Sequence, residues 1–96
     1  MFRVERTVEF ESWLDGLRDR SAQKRIAMRI RRVENGLLGD WKPVGDGVSE
    51  FRIDHGPGYR LYFTRRGQVI VILLCGSDKS GQDRVIALAR ELARAV

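Results

Sequence analysis

The sequence has little with which to cross-link itself or to bind a metal: one cysteine, Cys75, and one histidine, His55, in 96 residues. A single thiol cannot close an internal disulfide, and two such residues cannot build a structural zinc site. Cys75 ends a strongly apolar run and is expected to be a buried thiol. Long hydrophobic stretches are missing as well. The longest uninterrupted apolar run, Val69 to Cys75, is seven residues, against roughly 20 for a bilayer span, so a transmembrane helix is excluded and no membrane partner is expected. The segment Met1-Phe2-Arg3-Val4-Glu5-Arg6 has no apolar h-region, so no secretory signal is expected. There is no internal repeat, low-complexity tract or linker. These features favour a cytoplasmic location and a single domain over residues 1–96 with one modest core.

What the chain does have is basic charge. Eighteen Lys and Arg stand against thirteen Asp and Glu, a net charge of +5 and a pI near 10.1. Most of the basic residues are arginine, which suits recognition of phosphate and carboxylate by planar guanidinium forks. GC-rich coding also produces such a bias. A small basic domain points to nucleic acid, an acidic protein partner, or both.

The hydrophobic periods predict an α+β order. Phe2 to Arg6 can form a short strand with Phe2 and Val4 on one face. Thr7 is a fitting N-cap for a helix whose Phe10, Trp13, Leu14 and Leu17 make one apolar stripe. A second helix is expected from about Ser21 to Asn35. Ala22, Ile26, Ile30 and Val33 form its buried stripe, continued by Leu37, and Asn35-Gly36 ends it. Its other face carries Lys24, Arg25, Arg29, Arg31 and Arg32. The two helices look like an αα-hairpin. Val48–Asp54 and Tyr59–Arg65 alternate as strands around the turn His55-Gly56-Pro57-Gly58. Gln68–Cys75 is apolar on both faces and reads as a central strand. Ser80-Gly81-Gln82-Asp83 resembles a capping box opening a last helix, with Val85, Leu88, Ala89, Leu92 and Val96 on one face. The predicted order is βααβββα: a mainly antiparallel twisted sheet, two N-terminal helices on one face, and a C-terminal helix. Part of the other face is expected to stay open, carrying Arg52, Arg60 and Tyr62.

Gly45-Asp46-Gly47-Val48-Ser49-Glu50-Phe51-Arg52-Ile53, then Gly56-Pro57-Gly58-Tyr59-Arg60-Leu61-Tyr62-Phe63, then Val71-Ile72-Leu73-Leu74-Cys75-Gly76-Ser77-Asp78-Lys79-Ser80 with Gln82-Asp83, resemble the phage Gp49-like, HigB-type "addiction module killer protein" family of the RelE/ParE toxins. The likeness runs over nearly the whole chain; Gly-Pro-Gly-Tyr-Arg and Asp-Lys-Ser are its most specific parts. The resemblance implies a RelE-like fold and the toxin of a type II toxin–antitoxin system. RelE and HigB branches are endoribonucleases (mRNA interferases) acting in the ribosomal A site, whereas ParE proteins of similar fold poison DNA gyrase and need no nuclease site. Implied partners are a helix-turn-helix antitoxin, mRNA and ribosomal RNA, and operator DNA through the antitoxin complex. Fold does not decide between these activities.

Metal-free RNA cleavage uses the substrate's 2′-hydroxyl as nucleophile. It requires a base, an acid for the leaving 5′-oxygen, and cations for the phosphorane charge; no cofactor is implied. Arg60 resembles the superfamily's catalytic strand arginine and is the first choice for phosphate stabilisation, with a salt bridge to Glu50 or Asp54 as the structural alternative. Lys79 could serve as phosphate ligand or proton-transfer group, or be a solvated loop lysine. Arg52 could grip a neighbouring phosphate. His55 is of the side-chain type suited to acid–base work near neutrality, though a turn histidine is often incidental; Asp54 could orient it or act as base. Tyr62 could stack on a base or simply pack in the sheet, and Asp78 is a weaker candidate. Lys24, Arg25, Arg29, Arg31 and Arg32 could dock on ribosomal RNA phosphates, hold an acidic antitoxin segment, or be merely solvated. The last helix lacks the histidine cluster of some HigB proteins, which leaves the base and acid unassigned.

Overall fold

The computed structural model describes residues 1–96. It begins with strand β1 (Arg3–Arg6), helix α1 (Val8–Asp15) and helix α2 (Arg20–Glu34). Strands β2 (Trp41–Gly45), β3 (Val48–Ile53), β4 (Tyr59–Arg66) and β5 (Ile70–Asp78) follow. A single 3₁₀ turn (Lys79–Gly81) then leads into helix α3 (Gln82–Ala95). The five strands lie in the order β1-β5-β4-β3-β2. β1 runs parallel to β5 and every other pair is antiparallel. The predicted α+β class, the mainly antiparallel sheet and the two helices on one face all hold.

The N-terminal half forms for local reasons. Thr7 caps α1 by accepting the Phe10 N–H at 3.0 Å, and its hydroxyl donates to the Leu74 carbonyl at 2.6 Å. One side chain therefore both starts the helix and pins it to β5. Asp19 caps α2 through Ser21 and Ala22. The helix ends where the amides of Gly36 and Leu37 reach back to the carbonyls of Val33 and Arg32, with Gly36 left-handed at φ +89°, a Schellman closure. That reversal turns Leu37 outward, against the expected continuation of the stripe. Leu38 packs on the core in its place.

The sheet separates two cores. Phe10 and the α2 stripe (Ala22, Ile26, Ile30, Val33) pack on one face against Phe51, Ile53, Leu61, Phe63, Val71 and Leu73. On the opposite face α3 sets Val85, Ile86, Ala89, Leu92 and Ala93 over Val48, Tyr62, Ile72, Leu74 and Cys75. Cys75 is buried, and desolvation pushes its thiol up to about 12. Arg90 donates to the Val44 carbonyl, and Arg66 to the carbonyls of Ala93 and Val96, so α3 is tied down along its length.

Several expectations need correction. The order is βααββββα, because Trp41–Gly45 forms an edge strand that carries Pro43; at an edge the missing N–H costs no ladder bond. β5 continues three residues past Cys75, to Asp78. The face expected to be open is largely roofed by α3. The buried stripe of α3 is rotated toward Ile86 and Ala93, leaving Leu88 and Val96 exposed. The expected capping box does not form: α3 has Gly81 at its N-cap with no side-chain bond, and it is the 3₁₀ turn before it that Asp78 caps, accepting from the amides of Ser80 and Gly81 and from the Ser80 hydroxyl. No helix is long and apolar enough to cross a membrane.

Gly76 is a gap in β5 filled from outside: a Cβ there would overlap the indole ring of Trp13. Trp13 also meets Phe10 at a tilt and Tyr59 edge-on, at centroid distances of 5.8 and 6.2 Å, so its ring is braced on two sides. Gly76→Ala is expected to lower unfolding free energy by about 1–3 kcal/mol, the usual cost of overpacking. Urea denaturation checks this, with Trp13→Leu in the same chain recovering much of the loss.

Candidate active site

The sheet brings the expected cations together at one end. In the β3–β4 register Arg52 lies directly opposite Arg60, and Glu50 opposite Tyr62. All four side chains therefore share the α3 face of the sheet. Two arginines directly opposed across a ladder repel each other. Glu50 answers that repulsion: its carboxylate is fully buried, with Oε2 3.4 Å from Arg60 Nε and 3.6 Å from Arg52 Nε. Arg60 is itself 8% exposed, and its Nη1 donates to its neighbour's carbonyl, Tyr59 O, at 3.2 Å.

Lys79 comes from the other side. β5 ends at Asp78, opposite Tyr59, and the Lys79 amide donates to Gly58 O at 2.9 Å. This bond joins the start of the 3₁₀ turn to the Gly56-Pro57-Gly58 turn. The result is an open cleft of about 400 Å³ lined by Asp40, Arg52, Ile53, Asp54, Arg60 and Lys79, among others, with Ile53 its one hydrophobic wall. Three cations face two cleft carboxylates, and Glu50 lies behind them. Hydrogen bonds from Ser80 and Gly81 hold the Asp78 carboxyl below its ordinary range, which steadies the turn that presents Lys79.

Tyr62 has no exposed surface. It lies beneath α3 with its phenolic oxygen 3.2 Å from Ser77 Oγ, and desolvation raises its pKa. It packs in the sheet and offers no face on which a base could stack. His55 turns away from the cleft: its Nε2 is 3.4 Å from Asp19 Oδ2, tying the β3–β4 turn to the start of α2. Asp54 does line the cleft. Asp40, which carried no sequence signal, arrives from the irregular loop after α2. No group of three or more His, Cys, Asp or Glu side chains is placed to hold a metal ion.

The basic helix divides in two. Arg29 is spent on structure. Its guanidinium donates to the carbonyls of Leu38, Asp40 and Arg52 and lies 5.4 Å from the Phe51 ring centre, and burial lowers its pKa. Lys24, Arg25, Arg31 and Arg32 are exposed. Arg25 and Arg32 border a second hollow of about 280 Å³ that shares Asp40, Arg52, Ile53 and Asp54 with the cleft. A basic track therefore runs from the flank of α2 into the cleft.

The sequence is similar to known proteins over nearly its whole length. Residues 12–95 match the family described as "Phage derived protein Gp49-like (DUF891)". An uncharacterized protein of Haemophilus influenzae is 47% identical over 92 residues, covering 96% of this chain and 93% of that protein.

The Asp78 cap gives a pH test of the Lys79 turn. A carboxyl whose folded pKa is depressed contributes stability above its unfolded value and loses it as pH falls through the folded one. The Ser80 and Gly81 amides should therefore be protected from hydrogen exchange above pH 3.8, the ordinary aspartate value. They should lose that protection progressively below it, and Asp78→Asn should weaken it above that value and flatten its pH dependence.

Proposed function

This chain belongs to the phage Gp49-like family, which is a HigB-like family of RelE/ParE toxins, and from that premise we propose that it is a ribosome-dependent mRNA endoribonuclease held in check by an antitoxin. The observation that carries this reading is the cleft in which Arg52, Arg60 and Lys79 meet beside Asp54 and Asp40. Cleavage proceeds by attack of the substrate's 2′-hydroxyl on the adjacent phosphorus. Arg60 and Arg52 stabilise the charge that develops on the phosphorane oxygens. Lys79, on the opposite wall, donates a proton to the departing 5′-oxygen, and a cleft carboxylate, Asp54 by preference, accepts the proton of the attacking hydroxyl. The products are a 2′,3′-cyclic phosphate, or its opened form, and a 5′-hydroxyl. His55 supports the turn rather than the chemistry.

The track along Arg25 and Arg32 takes up ribosomal RNA phosphates on the way to the cleft, with Lys24 and Arg31 extending the basic surface, and its contribution is salt-sensitive and indifferent to sequence. The antitoxin, of the helix-turn-helix type, occupies part of the same basic surface, and the complex contacts operator DNA through the antitoxin.

Induction of the wild type and of the Arg60→Ala/Lys79→Ala variant in cells, with mapping of mRNA 5′ ends, tests the reading. New ends in translated messages are expected with the wild type only. On programmed ribosomes, Arg60→Ala alone should slow cleavage by about 10²–10³-fold, the usual loss for one oxyanion donor. Growth arrest with intact messages and an SOS response would instead identify a gyrase poison. Neutralising Arg25 and Arg32 together should weaken ribosome binding and reduce the slope of log affinity against log salt by about 1–2, leaving the rate at saturation near wild type.

A further inference from the structure

We propose that Glu50 is a positioning residue that sets the two cleft arginines for the incoming phosphate. The inference rests on the nuclease reading for its activity arm and on the geometry alone for its structural arm. The Glu50 carboxylate is fully buried, and its two oxygens make no hydrogen bond. Oε2 sits instead between Arg60 Nε and Arg52 Nε at ion-pair distances of 3.4 and 3.6 Å. A charge buried without hydrogen bonds is a poor source of stability, since an apolar side chain of similar volume would often serve as well. Its geometry suits another purpose. One oxygen meets the Nε edge of both guanidinium groups, and Nη1 of Arg60 is directed to Tyr59 O. Arg60 Nε, like the two Glu50 oxygens, is buried without a hydrogen-bond partner, so charge attraction to Glu50 and the Nη1 bond to Tyr59 O together hold the guanidinium, and its remaining edge is left to the cleft that Arg60 lines.

Glu50 cannot be the base. It is fully buried and is not among the residues lining the cleft, so a substrate hydroxyl has no path to it. It acts through Arg60 and Arg52, and its loss should be felt where those arginines act, in the transition state more than in binding.

The test compares wild type, Glu50→Gln and Glu50→Asp in two assays. In the first, ¹⁵N NMR follows the Arg60 Nε–H resonance and its exchange with solvent. Glu50→Gln should speed that exchange by about 10-fold or more, while the amide spectrum elsewhere is retained. In the second, single-turnover cleavage on programmed ribosomes should show a rate at saturation lowered by about 10–100-fold, the scale of a displaced catalytic group, with half-saturation within about twofold. In an Arg60→Ala background, Glu50→Gln should cost several-fold less than in the wild type, because only its hold on Arg52 is left to lose. Should Glu50→Gln fail to fold, Glu50→Asp, which keeps the charge and shortens the reach, carries the same comparison.

Unchanged Arg60 exchange, or an equal loss of rate in the Arg60→Ala background, would overturn the proposal. If the wild type cuts no message, the nuclease reading falls, and the Arg60 exchange still decides whether Glu50 holds the arginine.

Discussion

The constraint around which this end of the molecule is arranged is the meeting of two arginines across a strand ladder. Antiparallel pairing of β3 with β4 sets Arg52 against Arg60, an arrangement that repels itself unless a counter-charge is present. Glu50 supplies that charge from inside the protein, and removing a carboxylate from water costs several kcal/mol even after relaxation. Burial in turn depends on a roof. α3 covers Glu50's neighbours Val48 and Tyr62 on that face, and it is fastened by Arg90 to the Val44 carbonyl and by Arg66 to the carbonyls of Ala93 and Val96. The C-terminal helix, remote in sequence from the β3–β4 hairpin, is thus part of what lets the hairpin carry its charges.

Charge elsewhere is organised on a different principle. The cleft is nearly balanced: Arg52, Arg60 and Lys79 face Asp40 and Asp54, with Glu50 behind. The unbalanced positive charge lies on the solvent face of α2. A balanced site suits proton movement at a phosphate, and an unbalanced helix suits adhesion to a polyanion. Arg29 joins the two, since its hydrogen bonds to Leu38, Asp40 and Arg52 fix the loop that brings Asp40 to the cleft rim. An arginine that looks from its helical position like one more surface cation is the joint between the two regions.

Much of the architecture could be read from hydrophobic period and capping chemistry. Thr7, the α2 stripe and Asn35-Gly36 each act locally, and each behaves as its residue type suggests. The alternation of β3 and β4 likewise placed Arg52, Arg60 and Tyr62 on one face. What could not be read was which faces are covered. β2 was missed because an exposed edge strand with a proline has no period to betray it. Tyr62 looked available because its cover, α3, arrives from the end of the chain. Asp40 sits in an irregular loop and had no pattern, and His55 is drawn to Asp19 by a contact between turns far apart in sequence. Arg60 is legible as a candidate from the family resemblance and Lys79 from its place in the loop between the central strand and the last helix; their sharing of one cleft is a product of the register and of the Lys79–Gly58 bond.

That bond has a genetic consequence. Arg52 and Arg60 come from the middle of the chain, but Lys79 takes its place only when β5 has paired with β4 and the following turn has closed on Gly58. A frameshift or stop codon anywhere upstream of Lys79 therefore removes the third wall of the cleft along with the roof over Glu50. Loss of the toxin by truncation is open to most of the reading frame.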